Sequence, residues 1–230
     1  QTREIARIEF KVALNGKAIL KEKIYEGQMS ASIYPRPLRR QKNLTQNIVY
    51  ISPTRHASGE VFLGEVLNRP DLYEEMLAIL KGFDENILSI NYDKNNFGRG
   101  TYKILSKSNN KALPLNVYGD GMKKAILLMS AVVKANDGIL LLDEFETAIH
   151  TSAMERTFKW ILETCKKLNV QVFMTSHSIE AISKVLKCCP DMEKDIRMIT
   201  LVETLNGIKA RNVDATKAIK LKEQYGLELR

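Results

Sequence analysis

The first half of the chain follows the two-residue period of β-strands. Between residues 8 and 14 every second residue is a large apolar one, and Asn15-Gly16 then supplies a two-residue turn signal, so residues 7–25 predict a β-hairpin. From Pro70 onward the apolar residues recur at helical spacing, which predicts a helix. Further strands are predicted at residues 48–51, 87–92, 101–106 and 113–118. We therefore expect an antiparallel β portion with one helix in this half.

The second half changes to alternating strands and helices. Two continuous apolar strands, residues 138–142 and 170–175, flank a long amphipathic helix at residues 151–168. The other elements predicted here are helices at residues 122–134 and 179–188, a hairpin at residues 196–203 and 208–213, and a basic C-terminal helix. Strand–helix–strand alternation with apolar strands predicts a parallel sheet that is covered on both faces.

Composition narrows the class of protein. With 230 residues, 44% of them hydrophobic, the chain is long enough for one domain with a sizeable core. There is no apolar run of about 18 residues and no signal peptide, so we expect no membrane association. Cys165, Cys188 and Cys189 have no metal-binding spacing, which favours reduced thiols in a cytoplasmic protein. The chain begins with Gln1 rather than Met, which suggests an internal start.

The formal net charge of +8 leaves several partners open. A basic balance is compatible with nucleic acid, with nucleotide phosphates or with an acidic protein. The densest basic cluster lies in a proline-broken loop. Its members are Arg36, Arg39, Arg40 and Lys42. The cluster fits a nucleic-acid or partner-binding patch, and it also fits a solvated loop.

The strongest chemical signal is a strand that ends in two carboxylates. Asp143 and Glu144 directly follow the apolar residues 139–142, and two adjacent carboxylates there are costly unless a cation is nearby. Because α/β sheets bind ligands at the carboxyl ends of parallel strands, a Mg²⁺–phosphate group is the natural partner. Asp143 would then hold Mg²⁺, and Glu144 would polarise an attacking water. The alternative is a strand that simply ends in surface acids.

A histidine follows the next predicted strand. His177 lies within Ser176-His177-Ser178, where an imidazole would contact both a γ-phosphate and the attacking water. A lone histidine is more often structural. However, the 33 residues from Glu144 to His177 contain one crossover helix, so a right-handed strand–helix–strand unit would bring both strand ends to the same edge of the sheet.

A third signal is a glycine-rich turn that opens a helix. Gly119-Asp120-Gly121 precedes Lys123 and Lys124, and free backbone N–H groups, the helix dipole and two lysines together favour an anion site. Such turns are common before helices, so the signal is weak when it stands alone.

In this order the three signals resemble the ABC-type ATPases of the chromosome-maintenance (SMC-like) and overcoming-lysogenization-defect kind, in the group called AAA15 or AAA21. The resemblance covers roughly residues 113–230 and, more loosely, the front half. It implies an α/β fold, an ABC-type P-loop ATPase head with a mixed or parallel sheet, flanking helices and an antiparallel β portion. It also implies a division into residues 1–112, with the variable lobe, and residues 113–230, with the chemical motifs.

The resemblance assigns roles to individual residues. Asp143-Glu144 is similar to Walker B, with Asp143 as the Mg²⁺ ligand and Glu144 as the water-orienting residue. His177 occupies the place of the switch histidine, and residues 147–150 occupy that of the D-loop. The signature turn, which binds nucleotide in this family, corresponds to Gly119, Asp120, Gly121 and Lys123. Weaker similarities lie at residues 52–55 and at the C-terminal residues 225–230.

Two departures from the family pattern stand out. Gly119 replaces the usual serine of the signature, which removes a hydroxyl donor to the γ-phosphate. The sequence contains no G-x-x-x-x-G-K-S/T phosphate loop, since its only Gly-Lys pair, Gly16-Lys17, is followed by alanine. We therefore expect a Walker A segment at the N-terminal side to be missing from this sequence, and we expect these 230 residues alone to be inactive.

The implied function is ATP hydrolysis with Mg²⁺, in a homodimer or higher homo-oligomer that sandwiches two nucleotides. Residues 28–112 would form a lobe that couples nucleotide state to a partner, with DNA or an effector such as a nuclease as candidates, in DNA maintenance or phage defence. Two alternatives stay open. One is a DNA-binding clamp with slow turnover, suggested by the charge. The other is a nucleotide-dependent interaction platform with little turnover, suggested by Gly119.

Overall fold

The computed structural model of the protein describes residues 7–14, 17–25, 47–94, 100–109, 111–204 and 207–225. The chain separates into two compact units, Gln1–Thr45 and Gln46–Arg230. In the first unit, β1 (Arg7–Leu14) and β2 (Lys17–Tyr25) pair antiparallel, with Arg7 opposite Tyr25 and Leu14 opposite Lys17. The predicted hairpin is confirmed, whereas its turn residues, Asn15-Gly16, lie outside the described residues.

The second unit contains all the elements that carry candidate chemistry. In chain order they are β3 (Ile48–Ile51), α1 (Leu63–Leu67), α2 (Pro70–Leu80), β4 (Ile87–Lys94), β5 (Gly100–Ser106), β6 (Leu113–Pro114), α3 (Asp120–Lys134), β7 (Ile139–Leu142), α4 (Thr151–Lys167), β8 (Gln171–Met174), α5 (Ile179–Lys187), β9 (Arg197–Thr204), β10 (Gly207–Asp214) and α6 (Ala215–Tyr225). The predicted helices and the C-terminal hairpin are confirmed to within a few residues. The short helix α1 was not predicted, because five residues give too short a pattern.

A parallel sheet of three strands, in the order β3-β7-β8, lies at the centre of this unit. Ile48 lies beside Ile139, which lies beside Gln171, and the register continues without a break to the carboxyl ends. The α/β fold class and the parallel pairing expected from the sequence are therefore confirmed. The division of the chain at residue 112 stays a prediction.

The two faces of the parallel sheet differ in burial. On one face Val49, Ile51, Leu140 and Leu142 are buried in the main core, and both α3 and α4 contribute to that core. On the other face Ile48, Tyr50 and Phe173 are 56%, 49% and 51% exposed. The prediction that both faces are covered is therefore wrong for the described part of the chain. The reason is that α3 and the crossover helix α4 pack against each other and both contribute to the core on the same face of the sheet.

A second sheet, β4-β5-β6, is antiparallel and packs beside α2. The predicted strand at residues 113–118 is wrong beyond Pro114, because β6 pairs only Leu113 and Pro114 with β5 and the chain then turns into a 3₁₀ segment, Leu115–Val117. Proline lacks the N–H group that a longer ladder would need. The early turn leads directly to Gly119 and the start of α3.

No helix in the described part of the chain is long and apolar enough to cross a membrane. The core also encloses the cysteines, since Cys165, Cys188 and Cys189 are all buried free thiols. Burial raises the pKa of Cys165 to about 12 and raises the pKa of Cys188 and Cys189 as well.

These thiols are expected to be unreactive in the folded protein. At pH 8 a thiol with a pKa near 12 is ionised to roughly one part in ten thousand, and only the thiolate is nucleophilic. We predict that a coloured disulfide reagent labels the native protein no faster than the protein unfolds. In guanidinium the reagent should label all three thiols. A thiol that reacted within seconds under native conditions would contradict this burial.

Candidate nucleotide-binding and catalytic site

The turn after β7, residues 143–146, carries three carboxylates and is called the acidic turn here. Both neighbouring strands hold its backbone, because Asp143 N donates to Ile51 O at 3.0 Å and Phe145 N donates to Thr175 O at 3.1 Å. Glu144 has φ +43°, in the left-handed region that side-chain-bearing residues seldom occupy. Such a backbone costs on the order of 1 kcal/mol and persists where the surroundings enforce it. The fold therefore holds Glu144 in an unusual orientation.

Thr175 fixes the first carboxylate and the backbone of the second. Its Oγ1 donates to Asp143 Oδ1 at 2.6 Å and accepts from Glu144 N at 2.9 Å. Tyr50, from β3, adds a longer hydrogen bond from its hydroxyl to Asp143 Oδ2 at 3.4 Å. Neither Thr175 nor Tyr50 was predicted from the sequence as a site residue. The only available signal was a hydroxyl-bearing residue near the end of each strand that neighbours β7.

His177 and Glu144 are brought together, as the spacing of their strands predicted. His177 Nε2 lies 3.8 Å from Glu144 Oε1, and the two side chains are 87% and 43% exposed. The backbone N–H of His177 donates to Glu146 Oε1 at 3.0 Å, so Glu146 connects the ends of β7 and β8. Glu146 was not predicted from the sequence as a site residue. An exposed imidazole beside an exposed carboxylate can contact a bound substrate directly.

The glycine-rich turn, residues 119–121, lies at the start of α3. Gly119 is the N-cap residue, with an ordinary φ of −62° and open space where a Cβ would be. Asp120 and Lys123 form an ion pair of 2.7 Å on the first turn of the helix. The hydrogen bond and charge of Lys123 lower the pKa of Asp120. These two residues therefore partly neutralise each other, which leaves backbone N–H groups as the main anion-binding feature.

Gly121 faces its own chain. A Cβ at this position would lie 3.1 Å from Ala148 O, so the start of α3 packs closely against residues 147–150. Glycine is favoured here because a Cβ would make a tight contact with that carbonyl, which would have to shift by a few tenths of an ångström. His150, in the same segment, accepts a hydrogen bond from Ser152 N at its Nδ1 and caps α4.

The second lysine of the predicted anion site is not at the surface. Lys124 is fully buried, and its Nζ donates to Pro53 O at 3.2 Å. Burial lowers the pKa of Lys124, and the carboxylates of Glu146, Glu144 and Asp143, in that order, oppose the shift. Its ammonium group is therefore not available to an external anion.

The donor set of this edge suits Mg²⁺. Asp143 offers a carboxylate beside the hydroxyls of Thr175 and Tyr50, all hard oxygen donors. Among the described residues no group of three or more His, Cys, Asp or Glu side chains is arranged to hold a metal ion by itself. Mg²⁺ is commonly held by one or two carboxylates, with water and substrate phosphates completing the shell, so an incomplete protein shell is the expected kind. The basic cluster at residues 36–42 lies outside the described residues, and its role stays a prediction.

Comparison with known proteins places the chain in a family. The family model described as "AAA domain, putative AbiEii toxin, Type IV TA system" matches residues 21–183, well over half of the chain. A Helicobacter pylori protein named ATP/GTP phosphatase is 33% identical over 131 residues, which cover 54% of this chain and 34% of that protein. The chain thus spans about a third of that relative's length. An uncharacterized protein of Methanocaldococcus jannaschii is 28% identical over 112 residues, covering 49% of this chain and 98% of that protein.

Solved structures give weaker similarities. An SMC ATPase, from work on ATP-driven dimerization and DNA-stimulated activation, has a TM-score of 0.46 at 14% identity and covers 68% of this chain and 91% of that one. The Pyrococcus furiosus Smc head bound to the C-terminal domain of ScpA has a TM-score of 0.44 at 13% identity and covers 68% of this chain and 38% of that one. Neither similarity bears on the activity of this chain.

Thr175 provides a test of how the acidic turn is held. We predict that Thr175→Val lowers the free energy of unfolding by about 1 kcal/mol, because it removes one hydrogen bond to a carboxylate and one from a backbone N–H. The matched control is Thr164→Val, since the buried Thr164 Oγ1 has no hydrogen-bond partner among the described residues and its loss costs nothing. Chemical denaturation measures both, and a Thr175→Val protein as stable as the control would contradict the geometry.

Proposed function

The chain belongs to the AAA-domain family described as a putative AbiEii toxin of a type IV TA system, and from this premise we propose that it carries the catalytic carboxylates of an ATP-hydrolysing domain. The observation that supports the proposal most is the meeting of Asp143, Glu144 and His177 at one edge of a parallel sheet, with Asp143 held by Thr175. If Asp143 and Glu144 were only surface acids at the end of β7, there would be no reason for an exposed imidazole, that of His177, to lie beside them at the end of β8.

Glu144 is the proposed water-orienting residue. Its carboxylate is partly exposed, and its backbone is held by Thr175, so the group is accessible and fixed at its base. Positioning of water and stabilisation of charge supply most of the rate enhancement in phosphoryl transfer. His177, 3.8 Å from Glu144, is proposed to contact the terminal phosphate. Because both side chains reach solvent, substrate can approach them without a rearrangement of the core.

Asp143 is the proposed Mg²⁺ ligand. When bound, Mg²⁺ would neutralise phosphate charge at this edge. Thr175 and Tyr50 keep the Asp143 carboxylate oriented, since each of them donates a hydrogen bond to a different oxygen. The lone pairs of those oxygens that do not accept these hydrogen bonds would be available to a metal ion.

A phosphate-binding loop has to come from outside these 230 residues. The sequence contains no G-x-x-x-x-G-K-S/T, and the described site offers no lysine that is free to hold the β- and γ-phosphates, because Lys124 is buried and Lys123 is paired with Asp120. We therefore propose ATP turnover only for a protein that includes such a loop, and inactivity for the 230 residues alone.

The glycine-rich turn is proposed to act on a second molecule. Gly119 has open space around it, whereas Gly121 packs against residues 147–150 of its own chain, so the exposed N–H groups at the start of α3 are available to a nucleotide bound elsewhere. A homodimer or higher oligomer that sandwiches ATP would bring Gly119, Asp120, Gly121 and Lys123 to the phosphates of the partner's nucleotide. Residues 1–112 would then include the lobe that couples this state to DNA or to an effector such as a nuclease, in DNA maintenance or phage defence. Free cysteines are consistent with a cytoplasmic setting.

The net charge of +8 favours one alternative, a DNA-binding clamp with slow turnover. That function requires DNA affinity that falls steeply with salt, since released counterions supply the binding energy. Replacement of the signature serine by Gly119 favours the other, a nucleotide-dependent interaction platform. ATP turnover by a protein that includes the phosphate-binding loop, called the loop-containing protein here, distinguishes the ATPase function from both alternatives, because each of them predicts little turnover.

Glu144→Gln tests the catalytic assignment. In the loop-containing protein we predict that this variant retains ATP binding and loses roughly 10²–10⁴-fold in turnover, because the amide keeps the size of the side chain and removes the carboxylate that orients water. Glu65→Gln, at a surface ion pair with Lys134, is the matched control and should turn over normally. Normal turnover of Glu144→Gln would remove Glu144 from its proposed role.

Gly119→Glu tests the role of the glycine-rich turn in a dimer. The side chain fits the open space at this N-cap, and its charge repels phosphate, so we predict normal folding and loss of ATP-driven dimerisation and turnover. Gly121→Glu is a poorer choice because it would also disturb Ala148 of the same chain.

Mixing Gly119→Glu with Glu144→Gln sharpens this test. In a mixed dimer one composite site carries both substitutions and the other carries neither, so partial turnover should return. Turnover and sedimentation of mixtures at several ratios measure the effect. A complete lack of rescue at every ratio would count against the two-site sandwich.

A further inference from the structure

Lys124 is an unusual residue for the interior of a protein. Among residues 47–94, 100–109, 111–204 and 207–220 it is the only Lys, Arg, Asp or Glu that is buried, and it is fully so. Its ammonium group has three donors, and one of them is used by Pro53 O at 3.2 Å. Pro53 O is already shared with His56 Nδ1 at 3.0 Å. Burial of a cation with so little hydrogen bonding is costly unless opposite charge compensates for it.

The compensating charge comes from the acidic turn. Burial lowers the pKa of Lys124, and the carboxylates of Glu146, Glu144 and Asp143 oppose this shift by their negative charge. On the other side, Glu146 Oε2 is buried and has no hydrogen-bond partner among the described residues. Hydrogen bonds connect this cation to the same strand end, because Lys124 Nζ donates to Pro53 O, and Pro53 lies two residues after Ile51, whose carbonyl accepts from Asp143 N. A cation with spare donors and a carboxylate with a spare acceptor are therefore buried at this end of the sheet. They attract each other through the low-dielectric interior even without a direct ion pair.

We propose that Lys124 is a positioning residue whose buried ammonium is the fixed countercharge of the acidic turn. The inference rests on the proposed function, because Asp143 is the proposed Mg²⁺ ligand. The ammonium offsets the mutual repulsion of Asp143, Glu144 and Glu146 before any metal ion is present. It also opposes the binding of a free divalent cation, so that the metal binds well only together with the negative charge of the nucleotide.

The place of Lys124 in the fold adds a mechanical consequence. It lies on α3 three residues after Gly121, and its hydrogen bond reaches the segment that follows β3. The helix that begins with the glycine-rich turn is thus connected by charge to the carboxylates at the end of β7. A side chain with a purely structural role would affect stability and leave the metal affinity of the acidic turn unchanged.

Metal affinity of the 230-residue chain provides the test. Binding of Mn²⁺ alone, in place of Mg²⁺, is measured from the spectrum of the free ion for wild type, Lys124→Met and Lys134→Met. We expect Lys124→Met to bind Mn²⁺ on the order of tenfold more tightly, because it removes a positive charge near the ligands. Lys134→Met lies on the same helix at an exposed ion pair with Glu65, and screening should keep its affinity within about twofold of wild type. An affinity of Lys124→Met no higher than that of wild type, including no detectable binding by either, overturns the proposal.

A double variant covers the case in which Lys124→Met does not fold. Lys124→Met/Glu146→Gln removes both the buried cation and the buried carboxylate, while the amide oxygen can still accept from His177 N. If the single variant is unfolded, the double variant should regain cooperative unfolding. If the single variant folds, the double variant should return toward wild-type Mn²⁺ affinity. The proposal is overturned if the double variant does not recover cooperative unfolding in the first case, or does not return toward wild-type Mn²⁺ affinity in the second.

These readouts do not depend on ATP turnover. Loss of turnover in Glu144→Gln together with unchanged Mn²⁺ affinity in Lys124→Met would keep the ATPase function and reject the role of Lys124. Normal turnover in Glu144→Gln together with tighter Mn²⁺ binding by Lys124→Met would support the role of Lys124 as a countercharge and reject the proposed ATPase function.

Discussion

Parallel pairing of β7 between β3 and β8 is the constraint on which the candidate site depends. Because the three strands run in the same direction and in continuous register, residues that follow them meet at one edge. Thr175 completes the arrangement, since its hydroxyl connects the end of β8 to the carboxylate of Asp143 and to the backbone of Glu144. The left-handed backbone of Glu144 is tolerated because hydrogen bonds from both sides enforce it.

Charge balance is the second requirement of this edge. The acidic turn carries three carboxylates within four residues, and the buried ammonium of Lys124 is hydrogen-bonded to Pro53 O, close to the end of β3 that pairs with this turn. The same helix presents Gly119 to solvent and packs Gly121 against Ala148. The start of α3 is therefore in contact with Ala148, just after the acidic turn, on one side and open to solvent at Gly119 on the other. This arrangement is compatible with the proposed action of the glycine-rich turn on a nucleotide bound by a second molecule.

Periodicity predicted the helices, the hairpins and the central strands because each depends on residues close in sequence. It failed where distant contacts or single atoms decide, as at Pro114, whose missing N–H ends β6 after two residues. The exposed second face of the parallel sheet was also unpredictable, since strand sequence does not say on which side the helices pack. Within the site, Asp143, Glu144 and His177 followed from strand ends. The burial of Lys124 was not predicted. Successive residues of an α-helix point about 100° apart, so the sequence pattern did not show that Lys124, unlike its neighbour Lys123, faces the core.

Localised binding of Mn²⁺–ATP is the most direct measurement of whether this edge is the nucleotide site. Paramagnetic broadening of amide signals detects even weak binding, so it applies to the 230 residues without a phosphate loop. Broadening confined to residues 143–146 and 175–177, and reduced by Asp143→Asn, is the predicted result. Broadening elsewhere in the described part of the chain, or broadening that is unchanged by Asp143→Asn, would contradict the assignment of the catalytic carboxylates.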